Sequence, residues 1–137
     1  MTELADTSVW AVRRRPQVRP WFDQQLGSRE IAICDPVRLE LLHSTRTLPE
    51  FQALRGNLGV LPTAPVTERV WSRAVDVYEL LAGVSPQWHR SVRHSDLLIA
   101  AAAEAAGLTL VHYDGDFDSI GAVTRQPMRW ISPRGSL

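Results

Sequence analysis

Short runs of apolar and β-branched residues recur along the chain and predict the strands of a sheet. Residues 30–34 (EIAIC) alternate and are rich in β-branched side chains, and residues 108–113 (LTLVHY) are apolar enough for a buried core strand. We expect a first strand at residues 3–5 and a last one at 127–131 (PMRWI). A further short strand, followed by a turn, is expected within residues 58–65.

Longer stretches with helical periodicity fill the intervals between these strands. Residues 95–107 (SDLLIAAAAEAAG) are alanine-rich and apolar on almost every side, so this helix must be buried on more than one face; Gly107 ends it. Residues 66–82 predict a long amphipathic helix that Ser85 and Pro86 break. The other predicted helices start at Thr7 or Ser8, follow Pro20, start with Asp35 as cap before Pro36, and run from Leu48 to about Asn57.

The alternation of strands and helices predicts an α/β sandwich with a mostly parallel sheet, in which ligands bind beyond the carboxyl ends of the strands. A chain of 137 residues, 45% of them hydrophobic, suits one domain, and we expect a single domain over residues 1–137. No apolar run is long enough for a membrane span and no signal-type segment opens the chain, so we expect a cytoplasmic protein with no membrane partner.

Cysteine content and charge narrow the possible functions. Cys34 is the only cysteine, which excludes a disulfide framework or a cysteine-built metal site within one chain, and its apolar neighbours predict a core residue. Net charge is zero, so composition alone imposes no attraction to nucleic acid. All 15 basic residues are arginine, which suits phosphate contacts; a codon bias towards arginine explains the missing lysine equally well.

Acidic residues occur where the active site of such a fold is expected. Asp6 follows the first predicted strand, Asp114 and Asp116 follow strand 108–113, and Asp96 opens the apolar helix before that strand. Each alone has a structural explanation as a helix cap or a turn former. The alternating acids also suggest a calcium loop, but the sixth and twelfth positions counted from Asp114 lack the required glycine and glutamate.

Glu40 completes the set of candidate acids. Its helical spacing with Val37, Leu41 and Ser44 predicts an inward face, where a carboxylate is costly unless it is paired or bound to metal; the alternative is a position at the rim that reaches water. Several carboxylates without clustered cysteine or histidine are the ligand set of a hard cation such as Mg²⁺ or Mn²⁺. The chemistry implied is metal-assisted phosphodiester hydrolysis.

The ordered acidic motifs resemble those of PIN-domain ribonucleases, and length and motif order resemble the VapC-type toxins of bacterial toxin–antitoxin pairs. The motifs are DTS (Asp6, Thr7, Ser8), Glu40, SDLLIAAAA with Asp96, and YDGDF with Asp114 and Asp116. The resemblance implies a three-layer α/β/α sandwich with a mostly parallel central sheet, usually dimeric, with Mg²⁺ or Mn²⁺ held by an acidic quartet.

The resemblance also implies roles for individual residues. Asp6 and Asp96 would be the principal metal ligands, and Glu40 would complete the acidic centre directly or through water. Thr7 or Ser8 would support Asp6 by hydrogen bonding.

The fourth motif departs from the family pattern. Family members often have threonine and then a basic residue before the first acid, whereas this chain has His112 and Tyr113. The sequence therefore leaves open whether Asp114 or Asp116 is the fourth acid, while Asp118 is expected on the surface.

The substrate implied by the resemblance is single-stranded or looped RNA, often tRNA or rRNA. The implied partner is a small VapB-type antitoxin whose C-terminal segment occupies the groove, in a homodimer or a toxin–antitoxin hetero-oligomer. Arg90 and Arg93 are candidates for phosphate contacts and Trp88 for base stacking, although a tryptophan is more often a packing residue. The competing hypothesis is a non-catalytic RNA- or partner-binding module whose acids are structural.

Overall fold

A single parallel sheet organises the chain. The computed structural model describes all 137 residues, Met1 to Leu137. The four strands are β1 (Glu3–Ala5), β2 (Ile31–Ala32), β3 (Thr109–His112) and β4 (Met128–Trp130). All neighbouring strands run parallel in the order β2-β1-β3-β4. In this register Leu4 of β1 lies opposite Ala32 on one side and Leu110 on the other.

Eight helices surround the sheet. They are α1 (Thr7–Ala11), α2 (Arg19–Gly27), α3 (Asp35–His43), α4 (Leu48–Leu58), α5 (Glu68–Val84), α6 (Pro86–Ser91), α7 (His94–Ala105) and α8 (Asp116–Thr124). None of them combines the length and hydropathy that a membrane crossing requires. The arrangement of helices on a parallel sheet confirms the predicted α/β fold.

The hydrophobic core joins helices and sheet in one cluster of 30 buried residues. The central helix is α7, in which every residue from Asp96 to Ala103 is buried. This helix packs against α3, α5, α8 and β3, so the prediction that it is buried on more than one face is confirmed. The amphipathic helix α5 contributes Val70, Ala74, Val77 and Leu81 to the core.

Two helices were not predicted, and both start at signals that also mark turns. Ser85 and Pro86 do end α5, but the Ser85 hydroxyl also accepts a hydrogen bond from the Gln87 N–H (3.1 Å) and so caps α6. At the start of α8 the Asp114 carboxylate accepts the Asp116 N–H (3.0 Å), so the acidic stretch opens a helix directly.

Three local predictions were wrong in detail. The predicted strand in residues 58–65 is reduced to one parallel bridge between Thr63 and Ile33. Strand β2 is limited to Ile31–Ala32, since Ile33 pairs with the Thr63 segment instead. Asp35 lies in the first turn of α3 and is not the cap, because the extended Cys34 occupies the cap position.

The strands β1 and β3 are neighbours at the point where the strand order in the sheet reverses. From β1 the chain builds β2 on one side and, through α7, β3 and β4 on the other. Crevices at such switch points, beyond the carboxyl ends of the strands, are where ligands bind in open α/β sheets. The residues that follow Ala5 and His112 therefore define the candidate site.

Candidate active site

Asp6 follows β1 directly and is held in place by α1. Its side chain is only 3% exposed. The Asp6 Oδ2 accepts two hydrogen bonds, from the Ser8 N–H (2.9 Å) and from the Ser8 hydroxyl (2.6 Å). Asp6 is thus the N-cap of α1, as its sequence context allowed. The same contacts fix the direction of its carboxylate at the carboxyl end of β1.

The end of β3 is tied to the end of β1 through Ser8. The Tyr113 N–H donates to the Ser8 hydroxyl (2.8 Å), and that hydroxyl donates to Asp6. Asp114 and Asp116 follow immediately and are linked by the hydrogen bond that opens α8. These contacts bring acids more than 100 positions apart in the chain to one edge of the sheet.

Asp96 reaches this edge from the first turn of α7. It is 1% exposed, and its Oδ2 is a buried oxygen without a hydrogen-bond partner. One carboxylate oxygen each from Asp96, Asp114 and Asp116 lie within 4.8 Å of one another. Both candidates for the fourth acid therefore converge on Asp96, while Asp118, with its side chain about half exposed, pairs with Trp130 and Arg134 instead.

The acids of the site oppose one another's ionisation. Burial, followed by the negative charge of Asp6, raises the pKa of Asp96 to about 7. Burial and then the charge of Asp114 raise the pKa of Asp116. An unpartnered buried oxygen beside two further carboxylates supplies the hard oxygen donors that Mg²⁺ and Mn²⁺ prefer, so the chemistry of these residues fits such a cation.

Glu40 borders the site rather than joining the three-acid cluster. It is half-buried on α3, and its Oε1 accepts a hydrogen bond from the Thr7 hydroxyl (3.2 Å). Burial raises the pKa of Glu40, and the hydrogen bond from Thr7 partly opposes this. The residue thus faces α1 but is only partly buried, and Ser44 of the predicted inward face is exposed, so Glu40 lies nearer to the rim position than to a fully inward one.

Arg93 lies against the acids, a contact that was not predicted from the sequence. Its Nε is 3.7 Å from Asp96 Oδ2 and its Nη2 is 3.4 Å from Asp114 Oδ2, while its side chain is 63% exposed. The charges of Asp96 and then Asp114 raise the pKa of Arg93 despite its partial burial. Its position three residues before Asp96 was the available sequence signal, because residues at this spacing are neighbours on a helix.

The other candidate RNA-binding residues lie on α6, the helix that precedes Arg93 in the chain and packs against α5. Arg90 is exposed, and Trp88 is half-buried and packs against the hydrophobic core. Two further residues are structural. Burial raises the pKa of the Cys34 thiol to about 12, which agrees with a core role. His112 is buried, and burial lowers its pKa, so its neutral Nδ1 accepts the Asp114 N–H (3.3 Å).

The amino-acid sequence is similar to one protein family and to individual proteins along its whole length. The sequence matches the PIN domain family over residues 4–123. It is 42% identical over 137 residues to ribonuclease VapC18 of Mycobacterium tuberculosis, with all of both chains covered. It is 39% identical over 134 residues to ribonuclease VapC51 of the same organism, covering 98% of this chain and 96% of that protein.

The fold has matches among solved structures. The crystal structure of DNA-bound VapBC from Salmonella typhimurium superposes with a TM-score of 0.69 at 16% identity, covering 96% of this chain and all of that one. FitAB bound to an IR36 DNA fragment gives a TM-score of 0.68 at 16% identity, covering 95% of both chains. At such low identity these structures bear on the fold alone. The family match and the full-length sequence relatives show that this chain belongs to the PIN-domain family, as one of its VapC-type members.

Proposed function

We propose that this protein is a metal-dependent endoribonuclease toxin that hydrolyses phosphodiester bonds of RNA, with tRNA or rRNA as the substrate class. The observation that carries the proposal is the convergence of Asp96, Asp114 and Asp116 within 4.8 Å at the β1/β3 edge, with an unpartnered buried oxygen on Asp96. Its full-length relatives are named ribonucleases, which supports the same reaction.

In this proposal each acidic residue has a defined task. Asp6 and Asp96 are the principal ligands of Mg²⁺ or Mn²⁺, and Asp114 and Asp116 complete the oxygen donors on the β3 side. When bound, the cation polarises the phosphodiester and lowers the pKa of a water nucleophile. Ser8 holds the Asp6 carboxylate in one direction through its two hydrogen bonds.

Glu40 and Thr7 are hydrogen-bonded to each other at the border of the proposed site. Burial raises the pKa of Glu40, which makes its carboxylate a stronger proton acceptor than that of an exposed glutamate. The Thr7 hydroxyl orients its carboxylate by donating to Oε1. Glu40 is therefore proposed to orient the attacking water.

RNA contacts are proposed on the adjoining surface. Arg93 presents an exposed guanidinium at the edge of the acids, and Arg90 is exposed on α6, so both suit phosphate oxygens. The exposed part of the Trp88 ring is the proposed stacking surface for a base.

A cognate VapB-type antitoxin is the proposed partner. Solved structures that share this fold are toxin–antitoxin complexes, among them VapBC from Salmonella typhimurium. A homodimer or a toxin–antitoxin hetero-oligomer in the cytoplasm is proposed on the same basis.

The reaction is tested with purified protein and a labelled structured RNA. We expect cleavage with Mg²⁺ or Mn²⁺ and none in EDTA. Asp96→Asn and Asp6→Asn should each lower the cleavage rate by at least about 100-fold, because even residues that only support metal ligands contribute about 10 to 100-fold. Asp23→Asn, an exposed aspartate paired only with Arg19, is the matched control and should cleave like the unaltered protein.

Two results would contradict this proposal. Cleavage that persists in both Asp96→Asn and Asp6→Asn, with each variant folded by circular dichroism, would exclude the assigned site. RNA binding without any metal-dependent cleavage would favour the non-catalytic binding module.

The partner is tested by co-expression. Expression of the chain alone should arrest growth, and co-expression of the small reading frame adjacent to its gene should restore growth. Growth arrest that this neighbour does not relieve would exclude it as the antitoxin. The Asp96→Asn variant is the control and should not arrest growth.

A further inference from the structure

The tail segment, residues 131–137, folds back over the acidic loop, residues 113–116. The tail starts at the end of β4, where the Ile131 N–H donates to the His112 carbonyl (2.9 Å). It reverses at Gly135, whose φ of 76° lies in the left-handed region. The reversal brings Leu137 back to the loop, where its N–H donates to the Tyr113 hydroxyl oxygen (2.9 Å).

A second contact places the tail directly on the acidic loop. A Cβ atom on Gly115 would lie 2.9 Å from Nη2 of Arg134, so the guanidinium covers the peptide between Asp114 and Asp116. The same guanidinium lies 5.8 Å from the Trp130 ring centroid. A side chain at position 115 would require this guanidinium, the end of a flexible side chain, to shift.

Tyr113 joins the tail to Asp6, the buried acid that follows β1. Its hydroxyl accepts from Leu137, while its backbone N–H donates to Ser8, whose hydroxyl donates to Asp6. The Tyr113 ring packs edge-on against Trp130, with centroids 5.6 Å apart. The residue is thus fixed at its backbone, ring and hydroxyl.

His112 and Tyr113, the two residues at which the fourth motif departs from the family pattern, both make structural contacts. His112 packs against Phe117 and Trp130 as a buried neutral ring, and Tyr113 binds the tail. In these contacts neither side chain is directed at the acids as a further metal ligand. Both hold the segment that carries Asp114.

We propose that the tail segment fixes the acidic loop in its ligand-holding conformation and that Tyr113 is the positioning residue through which it does so. That the tail holds the loop rests on the contacts of the chain itself. The expected consequence, weaker binding of a divalent cation when the tail is released, rests on the proposed function.

The test uses Tyr113→Phe, which removes only the hydroxyl acceptor. The chain has one other tyrosine, so Tyr78→Phe, on α5, is the matched control. In the metal-free protein, hydrogen–deuterium exchange of the loop amides should accelerate severalfold in Tyr113→Phe and not in Tyr78→Phe. Mn²⁺ affinity, measured by electron paramagnetic resonance, should fall about tenfold in Tyr113→Phe alone, as for other residues that orient metal ligands.

A second pair of variants tests the tail itself. Gly135→Ala and Gly107→Ala each place a side chain at a positive φ in open space, so both carry similar backbone strain. Gly107 lies at the end of α7, away from the tail. Only Gly135→Ala should accelerate exchange of the loop and weaken Mn²⁺ binding.

The outcomes separate this inference from the proposed function. Loop exchange in Tyr113→Phe equal to that of the unaltered protein would overturn the positioning role, whatever the metal result. Faster exchange with unchanged Mn²⁺ affinity would overturn the link between tail and metal. Failure of the unaltered protein to bind Mn²⁺ would overturn the proposed function, while the exchange data would still decide whether the tail holds the loop.

Discussion

At Asp96, burial of an acidic side chain lowers the stability of the fold, whereas the proposed function requires a carboxylate at this position. It is almost completely buried, it lies near other acids, and one of its oxygens has no hydrogen-bond partner. The positive charge of the exposed Arg93 offsets part of the negative charge of Asp96, but the guanidinium does not reach hydrogen-bond distance of that oxygen. A site arranged in this way is costly to the metal-free protein and favourable once a cation is bound.

The raised pKa of Asp96 predicts how stability depends on pH. An unfolded aspartate ionises near 3.8, whereas folding raises the pKa of Asp96 to about 7. Between these values the folded state holds a proton that the unfolded state releases, so the free energy of unfolding falls as pH rises from about 4 to about 7. Asp96→Asn removes this loss and should raise the free energy of unfolding of the metal-free protein at pH 8 by about 2 to 4 kcal/mol.

Urea unfolding in EDTA measures this effect. The difference between Asp96→Asn and the unaltered protein should be large at pH 8 and close to zero at pH 4. Added Mg²⁺ should stabilise the unaltered protein at pH 8 and leave Asp96→Asn unchanged. The stability of Asp96→Asn is expressed relative to that of the unaltered protein at the same pH. If this relative stability were lower at pH 8 than at pH 4, the Asp96 carboxylate would not be destabilising.

Helix α7, which carries Asp96, is also the element whose sequence was most informative about its packing. The alanine-rich composition of α7 predicted burial on several sides, and the structure shows it packed among three helices and β3. Helices α6 and α8 escaped prediction because α6 has only six residues and α8 begins within an acidic stretch typical of a loop. Their helical signals, Ser85 and Asp114, are also common in turns.

Close packing around α7 predicts the effect of adding volume there. Ala102 is fully buried, so Ala102→Leu must displace its neighbours and should lower the free energy of unfolding by about 1 to 3 kcal/mol. Ala105→Leu, on an exposed position of the same helix, should stay within about 0.5 kcal/mol of the unaltered protein. Chemical denaturation measures both, and equal effects of the two substitutions would contradict the central position of α7.

At the scale of the whole molecule, the sheet order creates the site. Asp6 and Asp114 are separated by most of the chain, and they lie at the same edge of the sheet because β1 and β3 are neighbours at the switch point. The sequence indicated the candidate aspartates, because each follows a predicted strand or opens a predicted helix, and it indicated Glu40 through its helical spacing. It could not show that Asp114 and Asp116 both reach Asp96, or that Arg93 and the tail contact them, since these contacts depend on how helices and loops close over the sheet.

The most direct test of the central claim is a crystal structure of the protein grown with Mn²⁺ and measured at a wavelength where manganese scatters anomalously. We predict an anomalous peak about 2.1 Å from a carboxylate oxygen of Asp96. Oxygens of Asp6, Asp114 or Asp116 should complete the coordination, and the peak should be lost in Asp96→Asn crystals. No peak at this edge of the sheet at saturating Mn²⁺, or a peak that persists without the Asp96 carboxylate, would contradict the assignment of these acids as a metal site.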